Sequence, residues 1–111
     1  MTFVAAFLFS AHAATFTVTL AWDTYPAPSK ISGFNVYEYD SIAQTYTFIV
    51  AVPSPTATTV TLPAVAIGTH TYVITAYGPT GESAYSNQAT ATVPSPPLAP
   101  TNLKATVSLV Q

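Results

Sequence analysis

Between Thr15 and Val93 the chain runs in short stretches of alternating apolar and polar residues. They are separated by Pro, Gly, Ser and Asn at intervals of about 8–12 residues, the spacing of half-buried strands and their turns. Residues 17–23 place Val18, Leu20 and Trp22 on one face and Thr17, Thr19, Ala21 and Asp23 on the other. Pro26 and Pro28 end that run, because prolines this close cannot stay in a central ladder. Residues 31–39 bury Phe34 and Val36 against an outer Asn35, Tyr37 and Tyr39, and 40–44 read as a hairpin turn. Residues 46–52 set Tyr46, Phe48, Val50 and Val52 against Thr47, Ile49 and Ala51, until Pro53 and Pro55 stop them. A short strand at 58–62 leads into a crossover loop at 63–68. Residues 69–77 then put His70, Tyr72, Ile74 and Ala76 opposite Thr71, Val73, Thr75 and Tyr77. Gly78-Pro79-Thr80-Gly81 is a turn by composition, and 88–93 form the last strand.

No stretch carries a helical period with caps. Six strands with an inner face of Val18, Leu20, Trp22, Phe34, Val36, Phe48, Val60, Tyr72 and Ile74 predict an all-β, two-layer antiparallel β-sandwich.

Composition narrows the partners. Only 5% of the 111 residues are charged, against roughly 25% in an ordinary soluble domain, so the surface is built of Thr, Ser, Ala, Asn and Tyr. Two Lys and no Arg cannot neutralise a run of phosphates or hold an anionic membrane face, which excludes nucleic acid and electrostatic lipid binding. An aromatic content of 13% argues against disorder. Residues 3–9 are an apolar run, followed by the small-x-small pattern Ala11-His12-Ala13. This suggests a secretory signal cleaved after Ala13, although the segment lacks a basic start and has the alternative of staying attached as a strand or apolar plug. It is far shorter than the ~20 apolar residues of a membrane-spanning helix, so no stable membrane span is expected.

Four pieces in order resemble a fibronectin type III domain of bacterial or phage type. They are Val18-Thr19-Leu20-Ala21-Trp22-Asp23, then Ile31-Ser32-Gly33-Phe34-Asn35-Val36-Tyr37, then Gly68-Thr69 leading into Tyr72-Val73-Ile74-Thr75-Ala76-Tyr77, and finally Gly81-Glu82-Ser83-Ala84-Tyr85-Ser86-Asn87. The resemblance spans residues 17–93 and implies an immunoglobulin-like sandwich. It divides the chain into a signal-like segment at 1–13, the domain at 14–94, a Pro-rich linker at 95–100 and an extra strand at 101–111. His70 stands where the family has a corner tyrosine, which implies a ring-nitrogen bond to the preceding loop backbone. The family's first strand is missing before Thr15, and a stretch similar to it, Thr101-Asn102-Leu103-Lys104-Ala105-Thr106-Val107, follows the linker.

Three readings of that tail are open: the start of a further domain in a longer tandem protein, a strand folding back onto its own domain, or a strand donated to a neighbouring molecule. Returning to the far pole would take roughly 25–30 Å. The linker spans at most ~20 Å, so donation is less strained than self-filling. Thr101, Leu103, Ala105 and Val107 are therefore the candidate assembly strand.

Catalytic patterns are absent from the sequence. The carboxylates are Asp23, Glu38, Asp40 and Glu82, and neither a Cys nucleophile, a metal-binding His pair, a phosphate loop nor a nucleophile elbow is present. Glu38, Asp40 and His70 are not expected to converge. Neither cofactor nor metal is expected, and the protein is read as no enzyme. Candidate binding residues are aromatic: the resemblance implies that Tyr37, Tyr39 and Tyr77 share the outer face of one sheet, with Tyr25 and Tyr85 in loops nearby. The turn at 78–83 is a second possible contact. The expected function is a non-catalytic, secreted or surface-displayed adhesion, spacer or binding module for a protein or carbohydrate surface. The alternative is a structural subunit of an assembly, a virion decoration or an extracellular filament, whose copies meet through their terminal segments.

Overall fold

The structure, a computed structural model, describes residues 15–111, so the signal-like segment 1–13 lies outside the described residues. Seven strands follow in order: Phe16–Ala21 (β1), Gly33–Asp40 (β2), Thr45–Val52 (β3), Thr59–Val65 (β4), Gly68–Gly78 (β5), Gly81–Glu82 (β6) and Ala89–Val93 (β7). All pairings are antiparallel. β1 pairs with β4 in a two-stranded sheet, and the second sheet runs β3-β2-β5-β6, with β7 also on β5.

The expected sandwich is present. Val18, Val36, Leu62, Tyr72 and Val93 form its buried centre, and Phe16, Leu20, Val50, Val52, Val60, Val65 and Ala91 pack around them. Pro28–Lys30 make a single 3-10 turn where the two prolines interrupt the chain. Asp40 closes the β2–β3 hairpin, its Oδ1 accepting the N–H groups of Ile42 and Ala43 at 2.9 and 3.1 Å. The Thr-rich outer faces are knit by cross-strand hydroxyl pairs, Thr19 with Thr61 at 3.2 Å, Thr69 with Thr92 at 3.3 Å and Thr71 with Thr90 at 3.2 Å.

The expected core needs correction at three places. Phe48 is not an inner residue but 54% exposed. The β2–β3 register shifts between Val36 and Tyr37, so Val36 faces Val50 while Tyr37 faces Phe48. Ile49 is the extra residue of that bulge, and because side chains alternate with a period of two, one added residue sends Phe48 and Tyr46 to the outer face. β4 continues beyond Leu62 through Pro63 to Val65, with a shift of register and a positive φ of 53° at Ala64. Pro63 is tolerated there because β4 pairs on one side only. Finally, Val73, Thr75 and Ala76 are buried in addition to Tyr72, as suits the central strand β5, whereas Leu20, Trp22 and Ile74 are half-buried.

The strand directions fix two ends. Val93 lies opposite Gly68 at one end; Phe34 lies opposite Ala76 at the other, where the Trp22 ring sits 5.2 Å from that of Phe34. β1 therefore starts at the end where β7 finishes.

Candidate functional site

Aromatic side chains converge on the outer face of the β3-β2-β5 sheet. The hairpin register places Tyr39 opposite Tyr46 and Tyr37 opposite Phe48, with ring centroids 4.8 and 5.9 Å apart. Tyr85, on the irregular segment between β6 and β7, closes the group. It stacks on Tyr46 at 3.9 Å and meets Tyr37 edge-on at 5.4 Å. The result is one contiguous surface of Tyr39, Tyr46, Tyr85, Tyr37 and Phe48. Tyr46, Phe48 and Tyr85 keep 39%, 54% and 45% of their surface exposed.

Of the residues expected to bind, Tyr37, Tyr39 and Tyr85 are brought together. Tyr77 is not: it lies at the far end of β5, paired with Gly33 and Glu82 and outside the aromatic contacts. Tyr25 packs on Phe34 at 6.1 Å instead of reaching this face. Tyr46 and Phe48 were missed as face residues. The signal for Tyr46 is in the turn, since a hairpin that pairs Asp40 with Thr45 must set Tyr39 against Tyr46.

Glu82 anchors one border of this face. Its carboxylate accepts hydrogen bonds from the Thr75 hydroxyl at 2.5 Å, from the Tyr37 hydroxyl and from the Asn35 amide at 3.3 Å. Those donors stabilise the ionised form, Thr75 most and Tyr37 next, and hold the carboxyl below its ordinary value. The same bond, with desolvation second, raises the Tyr37 phenol. Ser83 N–H donates to Ala76 O at 2.7 Å and Ser86 N–H to Ile74 O at 2.9 Å. These bonds hold the Tyr85 segment against the sheet although it is not a regular strand.

On the inner side, two of the three residues not expected to converge, Glu38 and His70, do meet, while Asp40 stays apart. His70 Nδ1 lies 2.8 Å from Glu38 Oε2, and His70 Nε2 lies 2.8 Å from Ala66 O. The second contact is the loop-backbone bond expected at the corner position. Both ring nitrogens face acceptors, so the imidazolium, with two N–H donors, satisfies both. The Glu38 bond first and the Ala66 bond second raise the His70 pKa above its usual value, against an opposing effect of burial. The pair borders a cavity of about 440 Å³ between the sheets, with Ile49, Val60, Leu62 and Val65 among its lining. Asp40 is engaged in its own turn and takes no part. With both nitrogens bonded, His70 has no free site to accept a substrate proton. Among the described residues, no three His, Cys, Asp or Glu side chains group as a metal site, and no helix is long and apolar enough to cross a membrane.

The candidate assembly residues Thr101, Leu103, Ala105 and Val107 are exposed and in no ladder, Leu103 at 94% and Val107 at 98%. Residues 94–111 are not a strand within a single chain.

No protein-family model and no curated protein matches this sequence. Among solved structures, the chain is similar to the twitchin kinase region from C. elegans, Fn31-NL-kin-CRD-Ig26, with a TM-score of 0.59 and 17% sequence identity. The fold is the sandwich that immunoglobulin-like and fibronectin type III-like domains share. The similarity covers 75% of this chain and 15% of that one, so it speaks for the fold and not for the activity of the larger protein. In this frame His70 Nε2 bonds the Ala66 carbonyl, and the aromatic surface occupies the sheet face opposite the core.

Proposed function

We propose that this domain is a non-catalytic binding module, secreted or displayed on a surface, that engages a protein or carbohydrate through its aromatic face. The observation that carries this reading is the contiguous Tyr39–Tyr46–Tyr85–Tyr37–Phe48 surface. Tyr offers a large, rigid contact with a polar tip at little entropic cost, and flat rings stack on sugar faces as readily as on protein side chains. Glu82, ionised and exposed beside Tyr37, supplies an acceptor for hydroxyl or amide donors. Secretion is supported by the apolar run at 3–9 and the small-x-small pattern after it. A spacer role needs only the fold, and it becomes the reading if the face binds nothing.

The test is a glycan array and a panel of purified surface proteins probed with the native chain and with Tyr46→Ala and Tyr85→Ala. Binding weakened at least about tenfold in both variants, with Tyr25→Ala unaffected, is the expected result. Binding that survives both changes, or none by the native chain, overturns the role of the face.

A further inference from the structure

We propose that residues 101–109 of one molecule add as a strand to the free edge of β1 in a second copy, with Leu103, Ala105 and Val107 directed into the groove beside that edge. The edge is open. Trp22 N–H donates to Thr58 O at 2.8 Å, and in an antiparallel ladder every second residue faces the same way. Leu20 and Val18 therefore face β4, and the N–H and C=O groups of Thr17, Thr19 and Ala21 point away from it. No described strand meets them. The opposite edge of this sheet is blunted by Pro63 and the positive φ of Ala64, so β1 is where the sheet can grow.

Beside that edge lies a groove of about 240 Å³, lined by Val18, Leu20, Trp22, Tyr72, Ile74 and Ala91 among others. Its presence explains why Leu20, Trp22 and Ile74, all inner-face residues, are only half-buried. The buried Trp22 indole N–H has no acceptor among the described residues, so this wall has both apolar surface and an unused donor.

The occupant must be apolar on one side and polar on the other, because an edge strand of a sandwich has one inner and one outer face. Residues 101–109 have that pattern: Leu103, Ala105, Val107 and Leu109 alternate with Asn102, Lys104, Thr106 and Ser108. Leu103, Val107 and Leu109 are 94%, 98% and 84% exposed, and the segment pairs with no described strand of its own chain. Residues 3–9 are apolar on both faces, and would leave Val4 and Leu8 in water if they filled the slot.

Direction selects a second copy over the same molecule. β7 ends where β1 begins, so an antiparallel addition to β1 must start at the far end, the length of β5 away. Eleven strand residues span about 35 Å. The seven residues 94–100, four of them Pro, extend about 22 Å and resist turning back. Backbone pairing with a neighbour needs no return and repeats head to tail.

Sedimentation of the native chain over a concentration series tests this, beside Leu103→Asp and Val107→Asp. The two side chains are 94% and 98% exposed and lie outside the folded core, so the domain's melting and the emission of Trp22, the only Trp, report whether it is unchanged. A native mass that rises with concentration, and a dissociation constant weakened about 100-fold or more in both variants, is expected. Protection of the Thr19 and Ala21 amides from hydrogen exchange should appear only in the associated native chain. A native chain that stays monomeric, or variants that associate like it, overturns the proposal. So does protection of those amides in the dilute monomer, which would mean that the chain's own residues cover the edge.

Discussion

Tyr85 lies over Tyr46 with ring centroids 3.9 Å apart and planes inclined by 13°, joining an irregular segment to a strand 39 positions earlier. The segment around Tyr85 is held on its other side by the Ser83 and Ser86 backbone bonds, so this stack, with the edge contact to Tyr37, fixes its outer side chain. Tyr46→Ala removes the contact with both Tyr39 and Tyr85. We expect a loss of about 1–2 kcal/mol from two aromatic contacts on a half-open surface, read as a lower urea midpoint with an unchanged m-value. Tyr46→Phe keeps the rings and should stay within ~0.5 kcal/mol of the native chain. Equal losses in both variants would show that the hydroxyl, not the stack, matters.

How far this face was legible depends on the residue. Tyr39 and Tyr46 follow from the hairpin turn, because the pairing of Asp40 with Thr45 dictates theirs. Phe48 does not follow, since Phe48 and Ile49 are both large and apolar and either parity of the strand reads as an inner face; the bulge decides it. The Glu38–His70 contact joins residues 32 apart and depends on the β2–β5 register that sets Glu38 against Tyr72, which no local pattern encodes. The bond from the His70 ring to the preceding loop backbone was legible through the resemblance, and the contact with Ala66 O agrees. The sandwich itself was legible because its strands alternate cleanly between Pro and Gly breaks. A partner for the 101–109 pattern was not, because no described strand of the chain pairs with it.

Glu82 should govern the acid limb of stability. Its carboxyl is held below the ordinary 4.5 by Thr75, Tyr37 and Asn35, so the folded state binds a proton less readily than the unfolded chain. The stabilisation is therefore complete above about pH 4.5 and is lost as pH falls through the lower, folded-state value. Glu82→Gln should flatten the stability profile between pH 5 and 3, measured as urea midpoints, and should lower the titration midpoint of the Tyr37 phenol toward 10.0. An unchanged acid limb in Glu82→Gln would assign it to other carboxylates.

His70 acts in the opposite direction. Its pKa is raised above 6.5 by Glu38 and then by Ala66 O, so its contribution is present in full below pH 6.5 and is lost as pH rises through the folded-state value. Only two His residues occur, His12 and His70, so an NMR titration can follow His70 directly. Glu38→Gln should lower the His70 midpoint and reduce the fall in stability between pH 6 and 8. His70→Gln should abolish that fall while keeping one side-chain donor for Ala66 O.

Two glycines test the packing for different reasons. A Cβ on Gly33 would lie 2.2 Å from Val52 O and 3.0 Å from both Pro53 Cα and Tyr77 Oη. The first two obstacles are backbone, so relief requires β2 and β3 to separate where Phe34 and Val36 enter the core. Gly33→Ala should cost about 2–3 kcal/mol through this overpacking. Gly68 has open space around it but a φ of 123°, which a side chain tolerates poorly; Gly68→Ala should cost about 1–2 kcal/mol through the backbone alone. Urea unfolding of the two variants separates the causes when Tyr77→Phe is added to each. Removing the hydroxyl that crowds the new Cβ should recover part of the Gly33→Ala loss, and none of the Gly68→Ala loss. Strict additivity in both pairs would mean that the strain at Gly33 lies wholly against the backbone of Val52 and Pro53.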